Sequence, residues 1–172
     1  MKHLWSPWRM AYIEDRNSEP GCLFCLRLAE ADGAENLILH RGRHAFVILN
    51  RFPYTNGHMM VVPIQHQASL EALDEPTRSE VMELANRSLK VLRRAYGAEA
   101  FNLGINIGAA AGAGVADHVH LHVVALGRGH KLHGDPRGGA RDPRRPGDHL
   151  PAIVRGLARR LTSRPVPSSA RR

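Results

Sequence analysis

The chain has 172 residues, of which 43% are hydrophobic, and these values fit one domain with a single core. No stretch approaches the roughly 20 apolar residues of a membrane span, and the first residues lack the apolar run of a signal peptide. We therefore expect a cytoplasmic protein with no membrane partner.

The net charge of +8 is unevenly distributed along the chain. Residues 1–125 contain 12 Lys and Arg against 13 Asp and Glu, whereas residues 126–172 contain 12 against 3. A basic tail can bind nucleic acid, but this tail contains no aromatic residue that would stack on bases. The sequence therefore argues against nucleic acid as the partner.

The first part of the chain predicts three strands and then a long helix. Residues 37–41 and 44–50 are short β-branched and apolar runs separated by a glycine turn, which predicts a hairpin. Residues 58–63 form the next predicted strand, which ends at its proline. Pro76 then opens a helix as a first-turn proline, and apolar residues recur at three- and four-residue steps until Gly97 ends it.

The second part predicts two more strands and a basic tail. Residues 101–107 and 115–126 have strand patterns, and they flank a glycine-alanine loop over residues 108–114. Together these elements predict an α+β fold, an antiparallel five-stranded sheet with helices packed on one face. Residues 126–172 are rich in Gly, Pro and Arg with only a weak apolar stripe, so we expect them to be mostly disordered and the folded domain to span residues 1–125.

Three histidines, His118, His120 and His122, alternate with apolar residues directly after that loop. Side chains two apart on a strand point the same way, so the three imidazoles are predicted to share one face while the residues between them face the core. A single histidine on such a strand is usually a polar surface residue, but three at strict alternation favour a functional site. A metal site is the main alternative, although a single strand does not readily supply a third ligand.

The loop before the histidines contains only small residues after Ile107. Small residues let phosphate oxygens approach backbone N–H groups, and successive N–H groups form an anion-binding nest. Runs of glycine and alanine are more often plain turns. Beside three histidines, however, this loop is a candidate phosphate cradle next to a nucleophile.

The only two cysteines, Cys22 and Cys25, form a Cys-x-x-Cys pair. They can be two buried small residues or a redox couple, although the strand-to-helix context of a thioredoxin-like couple is not seen. A closed structural zinc site is the third interpretation, and it requires four ligands.

The motif over residues 106–122, Asn-x-Gly-x-x-Ala-Gly-x-Gly-Val-x-x-His-x-His-x-His, resembles the signature of the histidine-triad (HIT) family. It is most similar to a bacterial branch that resembles diadenosine-tetraphosphate phosphorylases. Further matches are Leu-Trp-Ser-Pro-Trp-Arg-Met at residues 4–10, Leu-Asn-Arg-Phe-Pro-Tyr at 49–54 and Asn-Gly-His-Met-Met-Val-Val-Pro at 56–63. The resemblance runs from residue 4 to about residue 124 and implies a HIT-like fold.

The resemblance implies a nucleotide hydrolase or nucleotidyltransferase that cleaves adenine dinucleotide polyphosphates such as diadenosine tetraphosphate, and that forms a homodimer. It implies that His120 is the nucleophile that attacks a nucleotide α-phosphorus, and that His122 helps to bind and position phosphate. Water or phosphate would then cleave the nucleotidyl-histidine intermediate. The other implied substrate-binding residues are Phe46 beside the base, Asn50 at the ribose, and Asn106, Gly112, Ala113 and Gly114 at the phosphate oxygens.

The resemblance also implies a structural zinc ion. In zinc-carrying members the two cysteines are joined by a histidine after the Val-Pro strand end and by the first triad histidine. By position, the ligands in this chain would be Cys22, Cys25, His66 and His118, a set of a kind that zinc accepts.

The chain departs from the family pattern after about Val124. Relatives continue the triad strand with Pro-Arg-Trp and then Gly-Asp-Thr-Asn-Phe-Met, which this chain lacks. A G+C-rich back-translation of residues 126–138, read one register across, can give Gly-Asp-Thr-Asn-Phe-Met. We therefore interpret the tail as an out-of-frame reading, and a non-catalytic, zinc-stabilised nucleotide-binding module is the alternative function of a chain altered in this way.

Overall fold

The computed structural model describes residues 21–31, 36–53, 55–126 and 150–162, with the side chains of 150–154 excepted. The matched segment at residues 4–10 and most of the predicted tail lie outside these described residues. Among the helices of the described part, none has the length and apolar character needed to cross a bilayer.

The structure confirms the predicted antiparallel sheet of five strands. The strands are β1 (Ile38–Arg41), β2 (Ala45–Leu49), β3 (Met59–Pro63), β4 (Ala100–Ile105) and β5 (Leu121–Leu126). They lie in the order β1, β2, β3, β5, β4, so β5 is inserted between β3 and β4. All residues of β2 and β3 are buried because these strands lie in the interior of the sheet and contact the long helix.

In the part of the chain that the structure describes, three α-helices accompany the sheet: α1 (Leu23–Ala29), α2 (Glu75–Tyr96) and α3 (Leu150–Thr162). Helix α2 begins where the sequence predicts, because the Asp74 carboxylate accepts a hydrogen bond from the Thr77 N–H at 2.9 Å and Pro76 occupies the first turn. It ends at Gly97, whose φ of 62° is the left-handed conformation that glycine adopts easily. Its apolar stripe packs on β2, β3 and β5.

Strand β5 begins later than residue 115, where the sequence predicted it. Residues 115–117 form a turn, and regular pairing starts only at Leu121. The neighbouring strand β3 ends at Pro63, which has no N–H to continue the ladder. The Pro63 carbonyl instead bonds the His118 side chain at 2.9 Å, and the Val119 N–H donates to the Gln67 carbonyl at 2.7 Å. The first two triad histidines therefore precede the strand.

Within the tail that was predicted to be mostly disordered, residues 150–162 form helix α3. Leu157 and Leu161, which belong to the weak apolar stripe, are 3% and 0% exposed. The helix contacts β1 and α2, so this part of the tail adds to the core of the same domain. A four-residue spacing places both leucines on one face, which is sufficient for a short helix to dock.

Candidate active site

Helix α1 covers the first two triad histidines. His118 and His120 are 0% and 4% exposed, and the apolar residues beside them are equally buried. The Phe24 ring of α1 lies against both histidines, with ring centroids 5.5 Å from His118 and 4.9 Å from His120. A second layer therefore encloses His118 and His120, so burial does not distinguish them from the apolar residues between them.

The hydrogen bond of the His120 ring fixes which of its nitrogens is basic. Nδ1 lies 2.9 Å from the His118 main-chain carbonyl, which can only accept, so Nδ1 carries the proton. In the neutral ring Nε2 then holds the lone pair and points away from that carbonyl. This tautomer is the one that a nucleophilic imidazole needs.

A fourth histidine, His58, completes a chain of hydrogen bonds to the triad. The Asn50 amide oxygen accepts the Phe52 N–H at 2.9 Å, so the Asn50 amide nitrogen donates to His58 Nδ1 at 3.2 Å. His58 Nε2 must then carry the proton, and it donates to His122 Nδ1 at 2.9 Å. As a result His122 Nε2 carries a proton and is a hydrogen-bond donor.

The sequence analysis did not single out His58. Its contact with His122 joins residues 64 apart, so local spacing carries no signal of it. The signal that was available is Gly57. Its φ is +78°, and a Cβ there would lie 2.8 Å from atoms of Leu92 and Tyr96, so glycine alone lets this turn press on α2 while His58 enters the sheet fully buried.

Burial keeps this group of imidazoles neutral at pH 7. It lowers the pKa of His120, although the hydrogen bond to the His118 carbonyl acts in the opposite direction. Burial, together with the nearby His120, lowers the pKa of His122 to about 4. Burial and the charges of His122 and His120 lower the pKa of His58 to about 3.

The glycine-alanine loop leaves the sheet beside these histidines. The β4–β5 register pairs Gly104 with His122 and Ile105 with Leu121, so the loop starts at Asn106 and returns to the sheet at His120. Paired residues project to the same side of the sheet, and a Cβ on Gly104 would meet nothing within 4 Å. Open space therefore lies next to the His122 side chain.

Within the loop, two glycines with positive φ angles bracket a 3-10 turn at Ala109–Ala111. The φ angles of Gly108 and Gly112 are 81° and 80°, conformations that explain glycine at both positions. The Gly112 N–H already donates to the Ala109 carbonyl at 2.9 Å. Among the other implied phosphate ligands, Asn106 and Gly114 are half-buried and Ala113 is 8% exposed.

Of the two implied nucleoside-binding residues, Asn50 lies near the histidines and Phe46 is buried in the core. Asn50 is half-buried and lies next to the histidines through His58. Phe46 lies in the middle of the core on β2 with 0% exposure, so its ring has no surface to offer a base. Strand β2 is covered on both faces of the sheet, so neither of its two alternating sets of side chains is exposed.

The four implied zinc ligands form one cluster, in which their ligand atoms all lie within 4.8 Å of one another. His118 Nδ1 is 3.3 Å from Cys22 Sγ and 3.7 Å from Cys25 Sγ, and His66 Nδ1 is 3.3 Å from Cys25 Sγ. Bond lengths of about 2.3 Å to sulfur and about 2.0 Å to nitrogen in a tetrahedron place such ligand atoms about 3.6 Å apart. The cluster therefore fits a single tetrahedral cation.

The surroundings of the cluster also suit a metal. His118 Nε2 donates to the Pro63 carbonyl at 2.9 Å, which leaves Nδ1 with its lone pair toward the cysteines, the arrangement common for metal-bound histidine. Burial, then the neighbouring Cys22, raises the pKa of Cys25, so a cation is the group that would stabilise its thiolate. Cys22 and Cys25 do not form a disulfide, so both sulfur atoms are free to bind a metal.

The chain is similar in sequence to known proteins. The AP-4-A phosphorylase of Mycobacterium tuberculosis is 33% identical over 132 residues, which cover 72% of this chain and 67% of that protein. The adenylylsulfatase HINT3 of Arabidopsis thaliana is 27% identical over 112 residues, 65% of this chain and 55% of that protein.

The fold is also similar to solved structures of histidine-triad proteins. A zinc-bound histidine-triad protein from Mycobacterium smegmatis superposes with a TM-score of 0.60 and 27% identity, covering 82% of this chain and 95% of its own. The HIT domain family matches residues 33–129, which contain all three triad histidines. On these grounds the chain belongs to the HIT domain family, whose members process nucleotides.

Proposed function

We propose that this protein is a nucleotidyl hydrolase or transferase that cleaves adenine dinucleotide polyphosphates through a covalent intermediate on His120. The observation that carries the proposal is the hydrogen bond from His120 Nδ1 to the His118 carbonyl, which reserves the Nε2 lone pair for attack. The relatives named AP-4-A phosphorylase and adenylylsulfatase support adenine nucleotides as the substrate class.

The reaction has two displacements at one phosphorus. In the first, His120 Nε2 forms a P–N bond as the P–O bond to the leaving polyphosphate breaks, and the leaving oxygen takes up a proton. In the second, water or inorganic phosphate attacks the same phosphorus and the P–N bond breaks, which returns neutral His120. Diadenosine tetraphosphate attacked at its α-phosphorus releases ATP first, followed by AMP with water or ADP with phosphate.

Other residues would stabilise the charge on the phosphoryl oxygens. The His122 Nε2–H, held as a donor by His58, is suited to bind an oxygen on the reacting or leaving phosphate. The Gly104 position leaves room for that phosphate beside His122. Asn106 and backbone groups of the following loop, including Gly114, would bind the remaining oxygens.

Zinc is the cation that we assign to the Cys/His cluster. Four protein ligands close a tetrahedral site, so the metal would have a structural function and no open position for substrate. Cys25 lies in α1 and Cys22 is the N-cap residue of that helix, whereas His66 follows the end of β3 and His118 begins the triad segment. The ion would therefore hold α1 in contact with the triad segment.

We further propose a homodimer formed through β4. This strand lies at the edge of the sheet that the described residues form, and Leu103 is 42% exposed there, followed by Ile107 at 43%. An exposed edge with apolar side chains is a surface that a second copy can extend by strand pairing.

Product analysis tests the reaction. Diadenosine tetraphosphate is incubated with the protein in H₂¹⁸O, with and without phosphate, and the quenched protein is analysed by mass spectrometry for AMP on His120. ADP plus ATP indicates phosphorolysis, and AMP plus ATP with ¹⁸O in the AMP indicates hydrolysis. His120→Asn should abolish both products, whereas His40→Asn, on the far edge strand β1, is the matched control and should retain them. If wild type and His120→Asn bind nucleotide equally and both are inert, the protein is a non-catalytic nucleotide-binding module.

A further inference from the structure

We propose that Phe24 is a positioning residue for His120, through which the Cys/His cluster orients the nucleophile. The inference rests on the proposed function only in taking His120 as that nucleophile. Phe24 stands between Cys22 and Cys25, so cysteine ligands on both sides of it hold its backbone. Its side chain is 2% exposed and points away from solvent into the triad.

Two contacts connect the cluster with the His120 ring. The first passes through His118, whose imidazole belongs to the cluster and whose main-chain carbonyl binds His120 Nδ1 at 2.9 Å. The second is the Phe24 ring, which packs on the His120 ring at a centroid distance of 4.9 Å and an interplanar angle of 55°. Both contacts start at elements that the metal ligands hold together.

The second contact is required because one hydrogen bond fixes a point on a ring but leaves its plane free to turn. The ring plane decides where the Nε2 lone pair points, and in-line attack on phosphorus demands a defined direction. Phe24 restricts rotation from one side, and the His122 ring adds a contact at 4.8 Å with an interplanar angle of 73°. A small residue at position 24 would release the ring while its hydrogen bond to His118 persists.

If Phe24 positions His120, replacing Phe24 should slow turnover without weakening nucleotide binding. Because Phe24 is almost completely buried, it has no surface for a nucleotide to contact, so its loss should leave KM unchanged and lower kcat. A misplacement of about 1 Å at a reacting group can lower turnover by roughly 100-fold, so we expect Phe24→Ala to lower kcat by about 10- to 100-fold. Phe24→Leu, which restores bulk without the flat ring, should recover part of the loss.

The experiment compares zinc-loaded wild type, Phe24→Ala and Phe24→Leu, with Leu23→Ala as the matched control. Leu23 belongs to the same helix turn but is 37% exposed, so its variant should behave as wild type. Zinc content by elemental analysis and unfolding by circular dichroism establish that each variant is folded and loaded. Single-turnover formation of the nucleotidyl-histidine and side-chain ¹H–¹⁵N NMR of His120 are then recorded.

The expected result is slower nucleotidylation with unchanged KM, and a His120 side-chain signal that keeps its Nδ1–H tautomer but shifts or broadens because the ring plane is free to turn. Full zinc with wild-type kcat and an unaltered His120 signal in Phe24→Leu and Phe24→Ala would overturn the proposal, as would a rise in KM alone. If Phe24→Ala does not fold, Phe24→Leu decides. If wild type forms no nucleotidyl-histidine the proposed function fails, but the NMR signal still reports whether Phe24 orients the ring.

Discussion

The buried pair His58 and His122 should make the stability of this protein fall steeply in mild acid. In the folded state the pKa of His58 is about 3 and the pKa of His122 is about 4, both lowered chiefly by burial and then by neighbouring histidines, including His120. In the unfolded chain each returns to an ordinary pKa of 6.5. Below pH 6.5 the unfolded state therefore binds more protons than the folded state, and stability decreases as pH decreases toward 4 and then 3.

The magnitude follows from the distance between the working pH and 6.5. At pH 5 each unfolded histidine has gained about 1.5 × 1.36, or about 2 kcal/mol, of protonation free energy that the folded ring does not gain. The two rings together lower the free energy of unfolding by about 4 kcal/mol between pH 7.5 and pH 5, out of the 5–15 kcal/mol typical of a domain. A loss of this size should bring the protein near its unfolding midpoint in modest urea.

Urea titrations followed by circular dichroism at several pH values, with zinc saturating throughout, measure this loss. His58→Gln retains a side-chain N–H for His122 but removes one titrating ring, so it should lose about 2 kcal/mol less than wild type over this pH range. The His58→Gln/His122→Gln double variant should lose about 4 kcal/mol less. Contributions from the metal cluster occur in all three proteins and cancel in the comparison. If wild type and both variants show parallel pH dependence, the two rings do not titrate as argued.

Three further predictions concern the cluster, the open space and the edge strand. Cys25→Ser should fail to retain stoichiometric zinc, and a chelator should lower the Tm of wild type but not of this variant; equal chelator sensitivity would argue against the site. Gly104→Val should fold with a Tm near that of wild type, because a Cβ there meets nothing within 4 Å, yet lose about tenfold or more in kcat/KM if substrate occupies the space beside His122. Gly104→Ala is its matched control and should lose less. Leu103→Asp should convert a dimer to monomers in sedimentation velocity, and a dimer that survives would place the interface elsewhere.

Local sequence signals predicted the elements well because each rests on contacts between near neighbours. Asp74, Pro76 and Gly97 delimit α2 by capping, by a fixed φ and by a left-handed end, all of which are readable along the chain. Alternation identified five strands, but its failure at residues 115–120 has a non-local cause that the histidine pattern concealed. Pro63, on another strand, ends the ladder there.

The sequence predicted the four members of the Cys/His cluster but not the surroundings of the histidines. Resemblance to the family, and not spacing, brought Cys22 and Cys25 together with His66, and the structure places all of them with His118. What the sequence could not reveal is the second layer, because Phe24 covering the triad is a contact across about 96 residues. The same limitation concealed the burial of Phe46, since a core strand and a base-binding strand share one apolar pattern.

Helix α3 bears on the hypothesis that the chain is read out of frame after about Val124. G+C-rich codons in any frame encode much Ala, Arg, Gly and Pro, and a segment rich in Ala, Leu and Arg has a high helix propensity without selection for it. Residues 150–162 are of this kind, and burial of Leu157 and Leu161 alone would dock such a helix. A folded α3 is thus compatible with an altered frame, and Leu161→Ala should then destabilise the domain by about 2 to 5 kcal/mol in urea titrations.

Resequencing the codons for residues 123–126 and measuring the intact mass test the frame itself: an unbroken frame with a protein of 19.0 kDa would contradict the hypothesis.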